Sequence, residues 1–231
     1  AKRYLSFGAY PGPNGPLFKR GTLVGGTSGQ LMPEQIVEEI THSWMLGQDA
    51  HPSRGMTRPD EDMREDAYSW CKAPRLAGET FETGALARQA IDGHPLAVAL
   101  AAEGSVRARV IGRLLELART QIEMERLLAS IDPRAAFMRH VRIPDDGEGV
   151  GMVEAARGAL GHWVRVEGGV ITSYQIIAPT TWNFSPRDER GVPGPVEAAL
   201  VGAEVRDGEE TPVSVQHIVR SFDPCMVCTV H

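Results

Sequence analysis

SVRARVIGRLLELARTQIEMERLLASI, residues Ser105–Ile131, is the stretch whose reading decides the fold. Val110, Leu114, Leu117, Met124, Leu128 and Ile131 step by three or four residues along one side, with Gln121 the one interruption. That is the period of an amphipathic α-helix. Arg107, Arg113, Arg119, Glu123 and Arg126 decorate the remainder. Ser105 is a good N-cap, and Asp132-Pro133 marks the stop. At 1.5 Å per residue the helix is roughly 40 Å long, the length of one arm of a bundle. The apolar side is therefore expected to face a core.

Moving outward, a helix is expected over Ala85–Ile91, stopped by Gly93 and Pro95, with further helical turns over Leu96–Ala102. Pro33 to His42 reads as a short helix with Pro33 in its first turn. Residues 46–69 are polar and rich in turn formers. Residues 8–33 hold Gly8, Pro11, Gly12, Pro13, Gly15 and Pro16, then Gly21, Gly25, Gly26 and Gly29. That density predicts loops, with Leu17-Phe18 and Thr22–Val24 as short strands. No Gly-Lys-Ser/Thr follows these glycines, so they are not a phosphate loop. On the far side, residues 162–178 alternate around Gly168-Gly169 and read as a β-hairpin. Residues 179–195 read as an irregular loop, and Val196–Val201 as a short helix. The fold class is mainly α with a small β portion, α+β, in a single domain over 1–231.

The chain has 231 residues, 42 % hydrophobic and 23 % charged, the profile of an ordinary globular protein. A net charge of −6 argues against nucleic-acid binding. No run approaches the roughly 20 apolar residues of a membrane span. The N-terminus shows no signal-peptide pattern, which points to a cytoplasmic setting, with association to a membrane only through partners; a periplasmic location is the alternative. It also lacks an initiator Met, as a processed or internal end would. Three cysteines, Cys71, Cys225 and Cys228, are too few and too uneven for a disulfide scaffold. Cys71 reads as a buried small apolar residue.

The chemistry sits in Asp223-Pro224-Cys225-Met226-Val227-Cys228-Thr229-Val230-His231. Two thiols and an imidazole recur at three-residue intervals. Thiolates are soft ligands, and two at this spacing can grip one metal or bridge two. From the residues alone, half of a structural zinc site and part of a catalytic centre completed by another chain both stand. A structural site would need a fourth ligand, drawn from Cys71 or one of His42, His51, His94, His140, His162 and His217. Structural zinc usually has its second ligand pair at short spacing, and here none follows.

This terminal motif resembles that of nickel–iron hydrogenase large subunits, and further blocks agree. They are Ser69-Trp70-Cys71-Lys72-Ala73-Pro74-Arg75 with Glu82-x-Gly84-x-Leu86-Ala87-Arg88; Arg157-Gly158-Ala159-Leu160-Gly161-His162-Trp163; and Ala178-Pro179-Thr180-Thr181-Trp182-Asn183 with Pro186-Arg187-Asp188. The resemblance implies a nickel–iron centre with carbon monoxide and cyanide on the iron. Cys225 would be a terminal nickel ligand and Cys228 a bridging one. Arg157 would lie over the open position, with Asp223 paired to it. Thr180 would donate to a cyanide, helped by backbone near Pro179 and Arg157. Ala178 and Leu160 would wall the pocket around the carbon monoxide. His231 and the carbonyl of Ile176 would hold a magnesium or similar ion. A protease trims family precursors just after that His. The reaction implied is reversible cleavage of H2, with electrons leaving through iron–sulfur clusters of a small subunit. The ending Met226–His231 is similar to uptake-type members.

Two departures matter. The family's other Cys-x-x-Cys, and the upstream Arg-Gly-x-Glu block, have no counterpart here. The expectation is therefore the C-terminal portion of a large subunit, its N-terminal half supplied as a separate chain or missing fragment. Ala156 stands where the family has Pro before the canopy Arg, which loosens the local φ. Cys225 in place of selenocysteine sets the chain outside the selenium branch. The alternatives are a non-enzymatic zinc or nickel module, and a degenerate hydrogenase-like subunit of a respiratory complex.

Overall fold

The computed structural model describes residues 2–12, 15–138 and 140–225. Among them the strands are β1 (Arg3–Ala9), β2 (Phe18–Val24), β3 (Thr27–Gly29), β4 (Ile36–Glu39), β5 (Ala73–Leu76), β6 (Gly147–Ala155), β7 (Gly158–Glu167) and β8 (Val170–Ile177). The α-helices are α1 (Ala85–Ile91), α2 (Pro95–Glu103), α3 (Val106–Ala129), α4 (Pro179–Asn183), α5 (Pro195–Leu200) and α6 (Val213–Ser221). Three small antiparallel sheets result, ordered β1-β2-β3, β4-β5 and β6-β7-β8. The architecture is α+β, with strand taking nearly as much of the chain as helix.

β1 divides the interior. Side chains alternate across a strand, so Tyr4 enters one cluster with Leu86, Ala90, Leu100 and Ala108, while Leu5 and Phe7 enter another with Ile36, Phe81, Trp163, Ile177 and Trp182. The first cluster is the helical side and the second is where the sheets meet. Tyr4 is fully buried, and its hydroxyl is satisfied by the carbonyl of Ala101 at 2.8 Å. Phe7 and Trp182 meet edge to face at 6.4 Å, the arrangement ring quadrupoles favour.

α3 follows expectation at its start, where the Ser105 hydroxyl accepts from the N–H of Ala108 at 3.1 Å. It packs on α1, α2 and α6. Its close approach to α1 needs Gly112, since a Cβ there would lie 3.0 Å from that of Leu86. The Val110–Ile131 stripe, however, does not face a core within this chain. Leu117 is 66 % and Leu128 71 % exposed, and Val110, Leu114, Met124 and Ile131 are exposed too. The buried side is built from Ala108, Arg109 and Gly112, with Ile111 and Leu115 at its edge.

Other expectations are refined. The helices over Ala85–Ile91 and Leu96–Ala102 and the hairpin around Gly168-Gly169 all form. Pro33–His42 is not a helix. A 3-10 turn at Pro33–Gln35 leads into β4, whose alternating burial, Ile36 and Glu38 inward, is set by pairing with β5. Part of the supposed loop 179–195 is α4, opened by Pro179 at its first position. Truncating Trp182 to Ala removes a fully buried indole and is expected to cost about 3–5 kcal/mol; a denaturant midpoint unchanged from wild type would contradict this packing.

Candidate metal centre

Three distant blocks of sequence meet at Thr83. Its N–H donates to Asn183 Oδ1 and its carbonyl accepts from Asn183 Nδ2, both at 3.0 Å. Its hydroxyl accepts from the N–H of Ala159 at 2.7 Å. Asn183 therefore ties the end of α4 to the strand entering α1, and Thr83 ties that strand to the start of β7. All three residues are buried. Gly158, at φ 134°, completes the junction, because a Cβ there would lie 2.5 Å from Thr83 Oγ1 and 2.8 Å from Gly84 N. An L side chain rarely adopts that φ and would also have no room.

The junction fixes the two-residue turn Ala156-Arg157 between β6 and β7. Arg88, the one charged residue of α1, holds the same turn from behind. Its guanidinium donates to the carbonyls of Ala155 at 2.9 Å and Ala156 at 2.8 Å, and pairs with Glu154 at 2.9 Å and with Glu116. Burial works against the charge on Arg88, yet Glu116 and Glu154 outweigh it and hold its pKa above the ordinary guanidinium value. Arg75 plays a matching part between β5 and the segment after α4. It donates to Ser185 Oγ at 3.1 Å and to the Pro186 carbonyl at 2.9 Å, with Asp188 beside it at 3.8 Å, both ion-pair partners wholly buried. Burial pulls the pKa of Arg75 down.

Onto this frame the structure brings four of the residues singled out in the sequence. Arg157 Nε lies 3.6 Å from Asp223 Oδ1, both side chains about half exposed. The N–H of Cys225 donates to Thr180 Oγ1 at 3.1 Å. A hydroxyl that accepts one bond still has its hydrogen to give. Asp223 takes a left-handed φ of 54°, which Asp tolerates better than most residues and which turns the chain from α6 toward Cys225. Pro179 is buried at the start of α4, and Ala178 is its half-buried cap. Leu160 sits half-buried on β7 opposite Val153, and Ile176 is exposed on β8 opposite His162. Cys228 and His231 lie outside the described residues. Among the described residues no three His, Cys, Asp or Glu side chains converge as a metal cage.

Cys71 is buried, and burial pushes its thiol pKa up, as suits a neutral packing residue. His162 Nδ1 is 2.8 Å from the Tyr174 hydroxyl, a structural contact. A second buried polar cluster lies beneath β8: Lys72 Nζ is 3.3 Å from Glu38 and 3.0 Å from Gln175 Oε1. Burial raises the Glu38 carboxyl, and Lys72 draws it partly back.

The sequence profile of nickel-dependent hydrogenases matches residues 1–231. The chain belongs to the nickel-dependent hydrogenase family. It is 34 % identical over 283 residues to the uptake hydrogenase large subunit of Rhodobacter capsulatus, covering 98 % of this chain and 47 % of the relative. It is 33 % identical over 255 residues to the periplasmic [NiFeSe] hydrogenase large subunit of Desulfomicrobium baculatum, covering 100 % and 49 %. Its fold superposes on the reduced, active Ni-Fe-Se hydrogenase of Desulfomicrobium baculatum with a TM-score of 0.89 at 32 % identity, over 100 % of this chain and 52 % of that one. For the as-isolated oxidized Ni-Fe-Se hydrogenase of D. vulgaris Hildenborough the TM-score is 0.91 at 31 % identity, over 99 % and 52 %. The hydrogenase chain thus spans about half the length of the curated relatives it matches.

Sequence reasoning placed Arg157, Thr180 and Asp223 but gave no role to Thr83, Asn183 or Arg88. One signal was available. Arg88 is the single charge in Ala85–Ile91, and a helix apolar all round is buried, so its charge had to be answered inside. Replacing Asn183 by Leu leaves two buried backbone groups of Thr83 without partners, at about 1–3 kcal/mol each. Unfolding by denaturant is the measurement, and a loss below that range would remove the junction from its central place.

Proposed function

We propose that this chain is the C-terminal portion of a nickel–iron hydrogenase large subunit, a single domain over 1–231, and that the assembled enzyme catalyses reversible cleavage of H2 into protons and electrons. The observation that carries the reading is that Arg157 pairs with Asp223 while, two residues on, the Cys225 N–H bonds to Thr180. The donor set suits a soft-metal centre: a cysteine whose backbone is held by a threonine hydroxyl that still has its hydrogen to give. Cys225 and Cys228 would hold the metals, with the iron carrying carbon monoxide and cyanide. His231 and the Ile176 carbonyl would hold magnesium. When bound, such a centre supplies a Lewis-acid pair that polarises dihydrogen.

The chain's own groups do the rest. The Cys225 sulfur, once deprotonated, is a proton acceptor at the centre. Arg157 places a fixed positive charge over it, and Asp223 orients that guanidinium. As a guanidinium, Arg157 is a reluctant base. Thr180 anchors the Cys225 backbone and presents its hydroxyl to an anionic ligand. Pro179, Ala178 and Leu160 form the apolar wall that keeps water out.

Two thiols are half of what the centre needs. We place the other half on the portion of large subunit that precedes this one in its relatives, as a separate chain or as a segment of a longer one. The exposed α3 stripe is the surface it would cover. Electrons would leave through the iron–sulfur clusters of a small subunit. An uptake role agrees with the name of the Rhodobacter relative. Among the described residues no helix is long and apolar enough to cross a membrane. A cytoplasmic setting remains part of the proposal, and a periplasmic one, as the Desulfomicrobium relative's name states of that protein, is its alternative.

The test is metal analysis and infrared spectroscopy on the complex purified with its partners. Nickel and iron in equal amounts, with bands from bound carbon monoxide and cyanide, are expected. A single zinc without such bands would establish the non-enzymatic module instead. Cys225→Ser is expected to lower nickel content at least tenfold, since a hydroxyl is a far poorer soft-metal ligand. Arg157→Lys is expected to keep the metals and slow turnover by about 10²-fold, the usual cost of one displaced electrostatic group. Full activity in that variant would remove Arg157 from the reaction.

A further inference from the structure

Two arginines on α3 reach the chain just before Asp223, and nothing in the reading above uses them. Arg109 and Arg113 are four residues apart and so share one side of the helix. Arg109 is buried, 5 % exposed. Its fork is held bidentate by Glu82, with Nε to Oε1 at 2.7 Å and Nη2 to Oε2 at 2.8 Å. A guanidinium so fixed still has its flat face, which lies 3.7 Å from the Phe222 ring centre. Its third nitrogen reaches Ser221 Oγ at 3.4 Å. Arg113 donates to the Ser221 carbonyl at 2.6 Å, capping one of the orphan acceptors at the end of α6.

We propose that Arg109 and Arg113 are positioning residues that lock the Ser221-Phe222 turn and thereby set where Asp223 and Cys225 stand. The inference rests on the hydrogenase reading for the meaning of Cys225. The contacts to Ser221 and Phe222 all land within four residues of that thiol. They grip the turn from the α3 side, while Arg157 and Thr180 grip its continuation from the other. Asp223 needs such a hold, because its left-handed φ of 54° is not an L residue's resting conformation. The helix that carries the two arginines also carries the exposed apolar stripe. Covering that stripe would therefore fix the metal-binding arm through a single rigid element.

The assembled complex tests this with trypsin, which cuts after Arg220. Arg113→Ala and Arg109→Leu are each expected to speed cleavage of the Arg220–Ser221 bond at least tenfold, with other tryptic sites unchanged. The same variants are expected to lower kcat for hydrogen oxidation at least tenfold, with KM for hydrogen within twofold. Arg113→Lys should recover both readouts to within threefold, since an ammonium can serve the same carbonyl. Arg109→Lys should not, since Lys cannot be bidentate to Glu82 and stacked on Phe222 together. Arg107→Ala, on the exposed side of α3, is the control and should match wild type. Should Arg109→Leu fail to assemble, Glu82→Gln loosens the same guanidinium more gently and is expected to raise cleavage severalfold. Wild-type cleavage and turnover in Arg113→Ala would overturn the proposal, as would faster cleavage spread over all sites. A wild-type complex without nickel or hydrogen turnover would sink the hydrogenase reading, and the cleavage comparison would still decide whether the clamp exists.

Discussion

Everything near the candidate centre leans on the backbone of Thr83. Its two peptide groups are read by one Asn183 amide, and its hydroxyl takes the Ala159 amide at the start of β7. Three short polar contacts in a dry interior are strong because no water competes for them. They also explain why segments about a hundred residues apart must each keep their identity. Loss of Thr83 leaves both Asn183 and Ala159 with unanswered polar groups, and loss of Asn183 leaves Thr83 with two.

Buried charge is the second organising device. Arg88 and Arg75 are both among the largest fully buried side chains. Burying such groups is costly, and a well-packed apolar substitute is often as stable. What an apolar side chain lacks is direction. Arg88 answers two consecutive carbonyls of the Arg157 turn, and Arg75 answers two carbonyls and a hydroxyl after α4. These forks set angles and distances, and the functional part of the molecule is made of segments that have no sheet or long helix to set them.

Much of the helical portion was legible. α1, α2, α3 and α5 follow from periodicity, caps and breakers, and the β7–β8 hairpin from its Gly-Gly turn. β6 was not, because Gly147, Gly149 and Gly151 occupy every second place and glycine carries no strand preference. β4 imitates a helix start, with Pro33 followed by glutamates, and only pairing with β5 overrides it. α4, five residues opened by Pro179, is too short for a period to declare itself, and no element is expected over α6 from the sequence. At the site, the terminal thiols stood out by their spacing, while Arg157, Thr180 and Asp223 stood out only through resemblance. The side chains that orient them are ordinary Thr, Asn and Arg whose partners lie far along the chain, and no local pattern reports a partner at that distance.

Apolar faces of this extent have a consequence for the life of the chain. Val110, Leu114, Leu117 and Leu128 on α3, with Val150 and Ile171 on the small sheet, add up to an adhesive exterior on the folded chain. Such a surface favours self-association whenever it goes unclaimed. Production of this polypeptide alone should therefore be governed by solubility more than by folding, and matched dosage of whatever covers it becomes a condition of obtaining it intact.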